Sequence, residues 1–460
     1  MSPADSPIES LAEHARETRV VVIGGGVAGL VAALECAKVG MRVTLLESSD
    51  ELGGAIRSRT IDGEAIPVGA DGYATAGGHV RALVDELGLT DLVRSEAPVA
   101  AWVSGVPGGS APLPSETVLG IPANPWDPSV RRIIGWGGVW RAYLDRLRPP
   151  LTIGQQNNLD KLVRGRMGDL VVDRLVAPVS VGRHGLLPSE VDVEIAAPGL
   201  GSALTRTGSL GGGVAQLLGS RTGAPAYETL EGGLEPLVAA LAARLADYGV
   251  DVRTDSRVEA IERGWRVRTE AEDLDAEIVV VAASGAEAHR LLAPHLSVIG
   301  PGDAPRALDI VTLVVDGDLP ARAVYAVPGT GPLSAVSVPS ARWPWLAERL
   351  GAGRSVVRAT LAAAPLDDDE AIAEARAAAS LALDLPPSSI RDARIDRLPT
   401  AHPRSAEGAI GAAERLRTAV GGLRGLAVVG AWVAGSGLAQ VIPDAAAEAE
   451  RVRRDALFRE

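Results

Sequence analysis

The stretch Arg19–Glu47, RVVVIGGGVAGLVAALECAKVGMRVTLLE, decides the fold. Its β-branched opening, Arg19 to Ile23, reads as a buried parallel strand. Gly24-Gly25-Gly26-Val27-Ala28-Gly29 follows, then an Ala/Leu-rich helix to about Val39 and a second strand from Arg42 to Leu46. Strand, turn, helix and strand make a βαβ unit, the setting in which G-x-G-x-x-G has mechanical meaning. Gly24 allows the tight turn, Gly26 lets a pyrophosphate approach the backbone, and Gly29 lets the helix pack closely on the strand. The helix N-terminus then presents free N–H groups and a positive dipole end to phosphate. Glu47, at the end of the second strand, is placed to accept hydrogen bonds from a ribose diol. The unit predicts a dinucleotide site; the glycine spacing alone would be no more than a loop.

NAD and FAD share that fingerprint, and the next residues separate them. Glu47 is followed by Ser48, Ser49, Asp50 and then ELGGAIR, Glu51 to Arg57. A Gly53-Gly54 turn after the acidic strand end, with Arg57 beyond it, suits an extended FAD lying deeper in the protein. Arg57 would reach the pyrophosphate or the flavin; the alternative is a solvated surface arginine. Pro67-Val68-Gly69-Ala70-Asp71-Gly72 would return beneath the cofactor, where small residues permit backbone contact with the isoalloxazine ring. Near the C-terminus, Leu426 to Val429 reads as a last buried strand, and GAWVAGSGL, Gly430 to Leu438, opens the final helix. Its positive end would face the flavin N1/O2 edge and favour hydride acceptance.

Working outward, 460 residues exceed one simple core, and 47% hydrophobic with 22% charged residues is an ordinary globular mixture. A net charge of −13 argues against nucleic acid as a partner. The one cysteine, Cys36, excludes an intramolecular disulfide, fits a reducing cytoplasm and falls inside the first helix, where a packed thiol is expected. No metal-ligand cluster is legible. Met1–Thr18 lacks a basic-then-apolar signal pattern, and no apolar run reaches the ~18 residues of a spanning helix. The expected organisation is an α/β fold. A Rossmann-like FAD-binding domain is assembled from separated segments, 19–95, 223–300 and 394–460, after a polar tail at 1–18. Between them lie a mainly helical substrate or cap domain at 96–222, broken at Pro149-Pro150, and an antiparallel-sheet substrate domain with one helix at 301–393.

With IGGGVAGL, ELGGAIRS and GADGY (Gly69 to Tyr73) on the page, the chain resembles the protoporphyrinogen/coproporphyrinogen oxidase family within the wider amine-oxidase-like flavoproteins. RMGDLVVDRLVAPVSVG (Arg166 to Gly182), TLEGGLEPLVAALAARL and VGAWVAGSGLAQ (Val429 to Gln440) extend the likeness from Arg19 to the C-terminus. The resemblance implies FAD contacts at Gly24 to Gly29, Glu47, Ser48, Gly54, Arg57, Gly69 to Gly72, Gly430, Ser436, Gly437 and Leu438. It adds Val258, acting through its backbone against adenine. This chain departs from the family in having Ser284 for a usual Pro, Leu398 for a common Trp, Ala439 after the closing motif and VGRHGLLPSE in the substrate region.

The likeness implies oxidation of a porphyrinogen to a porphyrin in heme biosynthesis, with hydride passing to flavin N5 and dioxygen reoxidising the flavin to give hydrogen peroxide. An acidic chain without a transit peptide is similar to the bacterial enzymes acting on coproporphyrinogen III, with protoporphyrinogen IX as the alternative. No catalytic acid or base stands out. His184 is the candidate substrate contact among histidines, and Arg164, Arg166, Arg174, Arg183 and Arg206 are candidates for the carboxylate side chains of the substrate. Two other readings remain, an amine oxidase or desaturase, for which Trp432 would supply one wall of an aromatic cage, and a non-catalytic flavoprotein scaffold. The expected location is cytoplasmic, with transient contact to the next heme-pathway enzyme and at most peripheral membrane contact. Trp126, Trp136, Trp140 and Tyr143 amid arginines suit either a helix packed over the active site or one resting on a bilayer.

Overall fold

The structure, a computed structural model, describes residues 7–148, 157–220, 227–297, 306–361, 366–400 and 403–458. The expected break at Pro149-Pro150 and the expected boundaries at 222–223 and 300–301 lie outside the described residues.

Five parallel strands form the nucleotide sheet, in the order Asp251–Arg253, Arg42–Leu46, Arg19–Ile23, Ile278–Val281 and Leu426–Val428. Three distant parts of the chain therefore meet in one sheet. Ile278–Val281 is buried at all four positions, because helices cover both faces of a parallel sheet. On one face the helices Val27–Ala37, Glu235–Asp247 and Leu438–Phe458 bury a core that includes Leu30, Leu34, Leu237, Leu241 and Ala445. The other face carries Gly285–Leu292, Ala409–Gly421 and a small sheet beginning at Val258. Cys36 is fully buried in the first core, and burial pushes its thiol up to about 12, so it is inert. The expected polar tail instead forms a helix, Pro7–Glu17, which buries Ala15 against this core.

A seven-stranded sheet stands beside it, ordered Ile390–Thr400, Arg306–Asp316, Arg354–Leu361, Leu333–Ser337, Arg322–Ala326, Ala100–Val106 and Gly109–Pro112. Neighbours are antiparallel except Arg322–Ala326 with Ala100–Val106, which run parallel. Period-two alternation gives the sheet two different faces. Val357, Ala359 and Leu361 face the helix Asp368–Leu383, whose Ala371, Ala375 and Ala379 recur every four residues and let it sit close. That helix starts where Asp367 and Glu370 form a reciprocal capping box. Val314 and Val356 face the other way, against Ile61, Ile66 and Val68 from the hairpin Ser58–Pro67 and its exit, and against Trp343. Two short helices, Pro339–Arg342 and Pro344–Leu350, interrupt the strand pattern, each with proline in its first turn.

Helices Pro128–Tyr143, Leu159–Met167, Ala177–His184, Leu200–Thr207 and Leu210–Ser220 enclose a third core around Ile133, Leu159, Met167, Leu175 and Leu200. Ala177–His184 is seated on the seven-stranded sheet. A Cβ at Gly182 would overlap the Tyr325 ring and come within 3.0 Å of the Ser334 carbonyl.

Candidate active site

The turn Gly24–Gly29 is compressed from inside and open outside. Gly24 has φ 113°, and a Cβ there would lie 2.7 Å from the Ala282 carbonyl oxygen. A Cβ on Gly29 would overlap the Gly24 carbonyl, whereas one on Gly26 would meet only the Gly54 Cα, at 3.9 Å. Val27 and Ala28 are buried in the first helical turn, and no side chain caps the helix at Gly26. Its first amides are thus left to an anion, as a pyrophosphate requires. The Gly53-Gly54 turn lies directly on this loop. Gly53 pairs with Gly26, donates to the Gly25 carbonyl at 2.9 Å, and has φ 115°. Two glycine turns meeting face to face make a cradle that side chains would fill.

Glu47 is anchored more heavily than its strand-end position suggested. Oε2 accepts from the Gly25 amide at 2.6 Å, and Oε1 accepts from the Ser49 amide and hydroxyl, both at 2.8 Å, and from Ser48 at 3.2 Å. Burial raises its pKa, but these bonds together outweigh it and hold the carboxyl below its ordinary value. The carboxylate stays charged, with acceptor capacity left on Oε2 for a diol. Arg57 turns back, donating Nε to the Gly54 carbonyl at 2.8 Å.

The segment Gly69–Gly72 is threaded through contacts that exclude side chains. A Cβ on Gly69 would overlap the Ala55 carbonyl, and one on Gly72 would reach 2.7 Å from Trp343. Ala70 donates to the Ala55 carbonyl at 2.9 Å and remains exposed, while Asp71 pairs with Arg358 at 3.0 Å. Val258 is buried, and its carbonyl accepts from Arg290 at 2.7 Å. At the C-terminal turn, Gly430 (φ 120°), Gly435 (φ 100°) and Gly437 (φ 112°) frame a one-turn helix, Ala431–Ala434, that the sequence reading ran together with the turn. Ser436 and Gly437 are exposed, Leu438 begins the 21-residue final helix, and a Cβ on Gly437 would meet nothing within 4 Å. Open glycine turns, an uncapped helix end and a charged acceptor at the second strand fit FAD.

The candidate substrate residues separate by environment. Arg164 is consumed by Asp160 at 2.8 Å and by Asp169 and Asp173 at 3.0 Å. Arg166 is a correction to the sequence reading: it is buried in the helical layer and paired with Asp145 at 2.5 Å, so it serves the fold. Arg174 donates to the Ile133 carbonyl at 3.3 Å, and Arg206 lies exposed beside Gln216. Arg183 and His184 differ from these. Both are exposed at the helix end, although neighbouring chain crowds around them. Burial opposes the Arg183 charge, but the neighbouring Tyr325, Tyr227 and Glu96 hold it above its ordinary range. Burial, reinforced by Arg183, pushes His184 down to about 4, so it is neutral near pH 7. Trp432 meets His289 edge-on at 5.5 Å and packs in the core behind the nucleotide sheet, which argues against its forming one wall of an aromatic cage.

Sequence reading missed Arg358, Asp396, Thr312 and the Tyr227–Tyr325–Glu96 group. The available signal was charge and hydroxyl at alternate positions of otherwise apolar strands. That pattern also describes a solvated face until the opposite layer is known.

Known proteins share the family and fold of this chain. The profile of flavin-containing amine oxidoreductases matches residues 27–349. A coproporphyrinogen III oxidase of Mycobacterium bovis is 30% identical over 67% of this chain and 66% of its own length. The coproporphyrinogen III oxidase of Propionibacterium freudenreichii is 26% identical over 68% and 66%. The chain thus matches just under two thirds of these relatives' length. A crystal structure of a candidate protoporphyrinogen oxidase from Exiguobacterium sp. 255-15 shares the fold, with TM-score 0.83 and 23% identity over 95% of this chain and 99% of that one. The glycine cradle, the anchored Glu47 and the matched profile together make this chain a member of the flavin-containing amine oxidoreductase family, with FAD as its cofactor.

Proposed function

We propose that the chain oxidises coproporphyrinogen III to coproporphyrin III, using dioxygen as final acceptor with release of hydrogen peroxide, in heme biosynthesis. The observation that carries this reading is the Arg183–His184 end of helix Ala177–His184, seated at Gly182 on the seven-stranded sheet. A permanently charged guanidinium near Tyr227 and Tyr325 suits a flat, carboxylate-bearing substrate. Neutral His184 beside it accepts or donates a hydrogen bond without adding a second positive charge. Bound FAD would supply the hydride-accepting chemistry, in three two-electron rounds. The chain would orient the substrate and shield it from water. The names of the mycobacterial and propionibacterial relatives support the same substrate.

Anaerobic mixing with coproporphyrinogen III should bleach the flavin and raise the porphyrin Soret band, faster than with protoporphyrinogen IX. Arg183→Ala should raise KM about tenfold or more with kcat little changed, the loss expected for one charge-assisted hydrogen bond of ~1.5–3 kcal/mol. Oxidation of protoporphyrinogen IX alone would overturn the substrate preference. Turnover of simple amines without porphyrinogen activity would overturn the class.

A second observation bears on location. No helix among the described residues is long and apolar enough to cross a membrane. Helix Pro128–Tyr143 and the turn after it nevertheless leave Trp136 58%, Trp140 57% and Leu147 76% exposed. Arg132, Arg146 and Arg148 are exposed alongside, and Arg131 stacks on Trp136 at 4.6 Å. This face therefore suits peripheral contact with an anionic membrane from the cytoplasmic side. The protein should co-sediment with anionic vesicles, and Trp136→Ala with Trp140→Ala should weaken that at least tenfold, given ~1.5–3 kcal/mol per large apolar side chain buried. No sedimentation with anionic vesicles would sink the membrane reading.

A further inference from the structure

Among the described residues, three buried polar atoms without a hydrogen-bond partner fall on one face of the seven-stranded sheet: Arg358 Nε, Thr312 Oγ1 and Asp396 Oδ2. The register makes them neighbours. Thr312 lies opposite Arg358 on one side and Arg394 on the other, and Asp396 is two positions further along, opposite Ile310. Such direct and diagonal pairs have Cβ atoms about 5–8 Å apart. This face is the one that Val314 and Val356 turn toward the hairpin Ser58–Pro67. The remaining Arg358 nitrogens are committed to the Asp71 carboxylate at 3.0 Å and the Pro67 carbonyl at 2.7 Å. Asp396 Oδ1 lies 3.6 Å from Arg59 Nε, a charge contact rather than a hydrogen bond.

The three orphans are chemically complementary: one fixed N–H donor, one carboxylate acceptor and one hydroxyl that does either. Buried groups of this kind are nearly always satisfied, and a water molecule, donor and acceptor at once, satisfies such a set. We propose that Arg358, Thr312 and Asp396 hold buried water behind the Pro67–Gly72 turn, and that Asp396 exchanges a proton with it when the flavin cavity changes charge. This rests on the reading that the turn lies beneath the cofactor.

The step moves no electrons. An O–H bond of the water network breaks, one forms on Asp396, and solvent replaces the proton. Arg57 and Arg59 from the start of the hairpin, Arg358 from the adjoining strand, Arg394 from its own strand and Asp71 from the turn are the charged groups around it. Burial nevertheless pushes the Asp396 carboxyl upward against those four arginines. Asp396 is a positioning and proton-holding residue here, distinct from any group that touches substrate.

The test uses the FAD-loaded protein reduced by light with a sacrificial electron donor, with no substrate. Reduced-minus-oxidised infrared difference spectra should show a protonated-carboxyl band that Asp396→Asn abolishes, with fewer protons taken up on reduction near neutral pH. Thr312→Val should lower Tm and shift that band, because it removes a hydrogen bond to water. An unchanged band and uptake in Asp396→Asn would overturn the proposal. A higher Tm in Thr312→Val with no band shift would overturn it as well, since that is the behaviour of a dry site. Should Asp396→Asn fail to fold, Asp396→Glu must displace the band, and an unmoved band overturns the proposal. Absent porphyrinogen turnover with the band intact would count against the proposed function alone.

Discussion

Gly29→Ala should purify without its yellow colour and bind added FAD at least a hundredfold more weakly, as read by flavin fluorescence quenching. The added Cβ would overlap the Gly24 carbonyl, a backbone atom that cannot rotate away. Relief requires the turn to open or the helix Val27–Ala37 to lift from the strand Arg19–Ile23, and either change displaces the amides that face the pyrophosphate. Overpacking of this kind costs about 1–3 kcal/mol in stability, and loss of the anion site adds its own loss of affinity. Gly40→Ala is a useful contrast, because an added Cβ there meets nothing within 4 Å, although its φ of 88° still strains alanine. That variant should keep its flavin while losing some stability. Full retention of FAD in Gly29→Ala would mean that the cofactor does not depend on this turn.

Asp145→Ala should destabilise the protein by about 3–5 kcal/mol in urea unfolding, the usual consequence of leaving one buried ion unpaired. Asp145 is 2% exposed and carries two duties. One oxygen pairs with Arg166 Nε at 2.5 Å; the other accepts from the Leu210 amide at 2.6 Å, at the start of helix Leu210–Ser220. Removing the carboxylate strands a guanidinium in an apolar layer and uncaps a helix together. Replacing both partners, Asp145→Leu with Arg166→Met, should recover part of the loss, since no charge is then left buried alone. A cost below about 1 kcal/mol for Asp145→Ala would show that water reaches this pair, as it does exposed salt bridges.

The inner strands of the nucleotide sheet were legible because they are short, mainly apolar runs beside a turn signal. Arg19–Ile23 and Arg42–Leu46 fall where the sequence put them. The helix Asp368–Leu383 was legible from its run of alanines. The hairpin Ala100–Pro112 lies inside the segment 96–222 that reads as mainly helical, yet it joins the seven-stranded sheet. Its parallel pairing with Arg322–Ala326, more than two hundred residues away, leaves no local trace. Likewise, the two short helices after Ser337 lie inside a stretch whose alternation reads as strand throughout.

Side-chain assignments show the same limit. Five arginines near the helical insert looked equivalent in sequence, since each is a charge on a helix. Packing made them unequal. Arg166 went inward to Asp145, Arg164 outward to three carboxylates, and Arg183 to the junction with the seven-stranded sheet. Asp396 and Arg358 could not be singled out at all, because the hairpin that buries them comes from residues 58–67.

By itself, then, the sequence determined the dinucleotide turn, its FAD character and the α/β class. Those rest on backbone needs, the absence of side chains at Gly24, Gly26 and Gly29, that are local and written in residue type. Tertiary structure alone decided which charges are buried, which are paired and which polar atoms are left without partners. Burial and cross-strand register depend on residues distant in the chain, and only the folded layers bring them together.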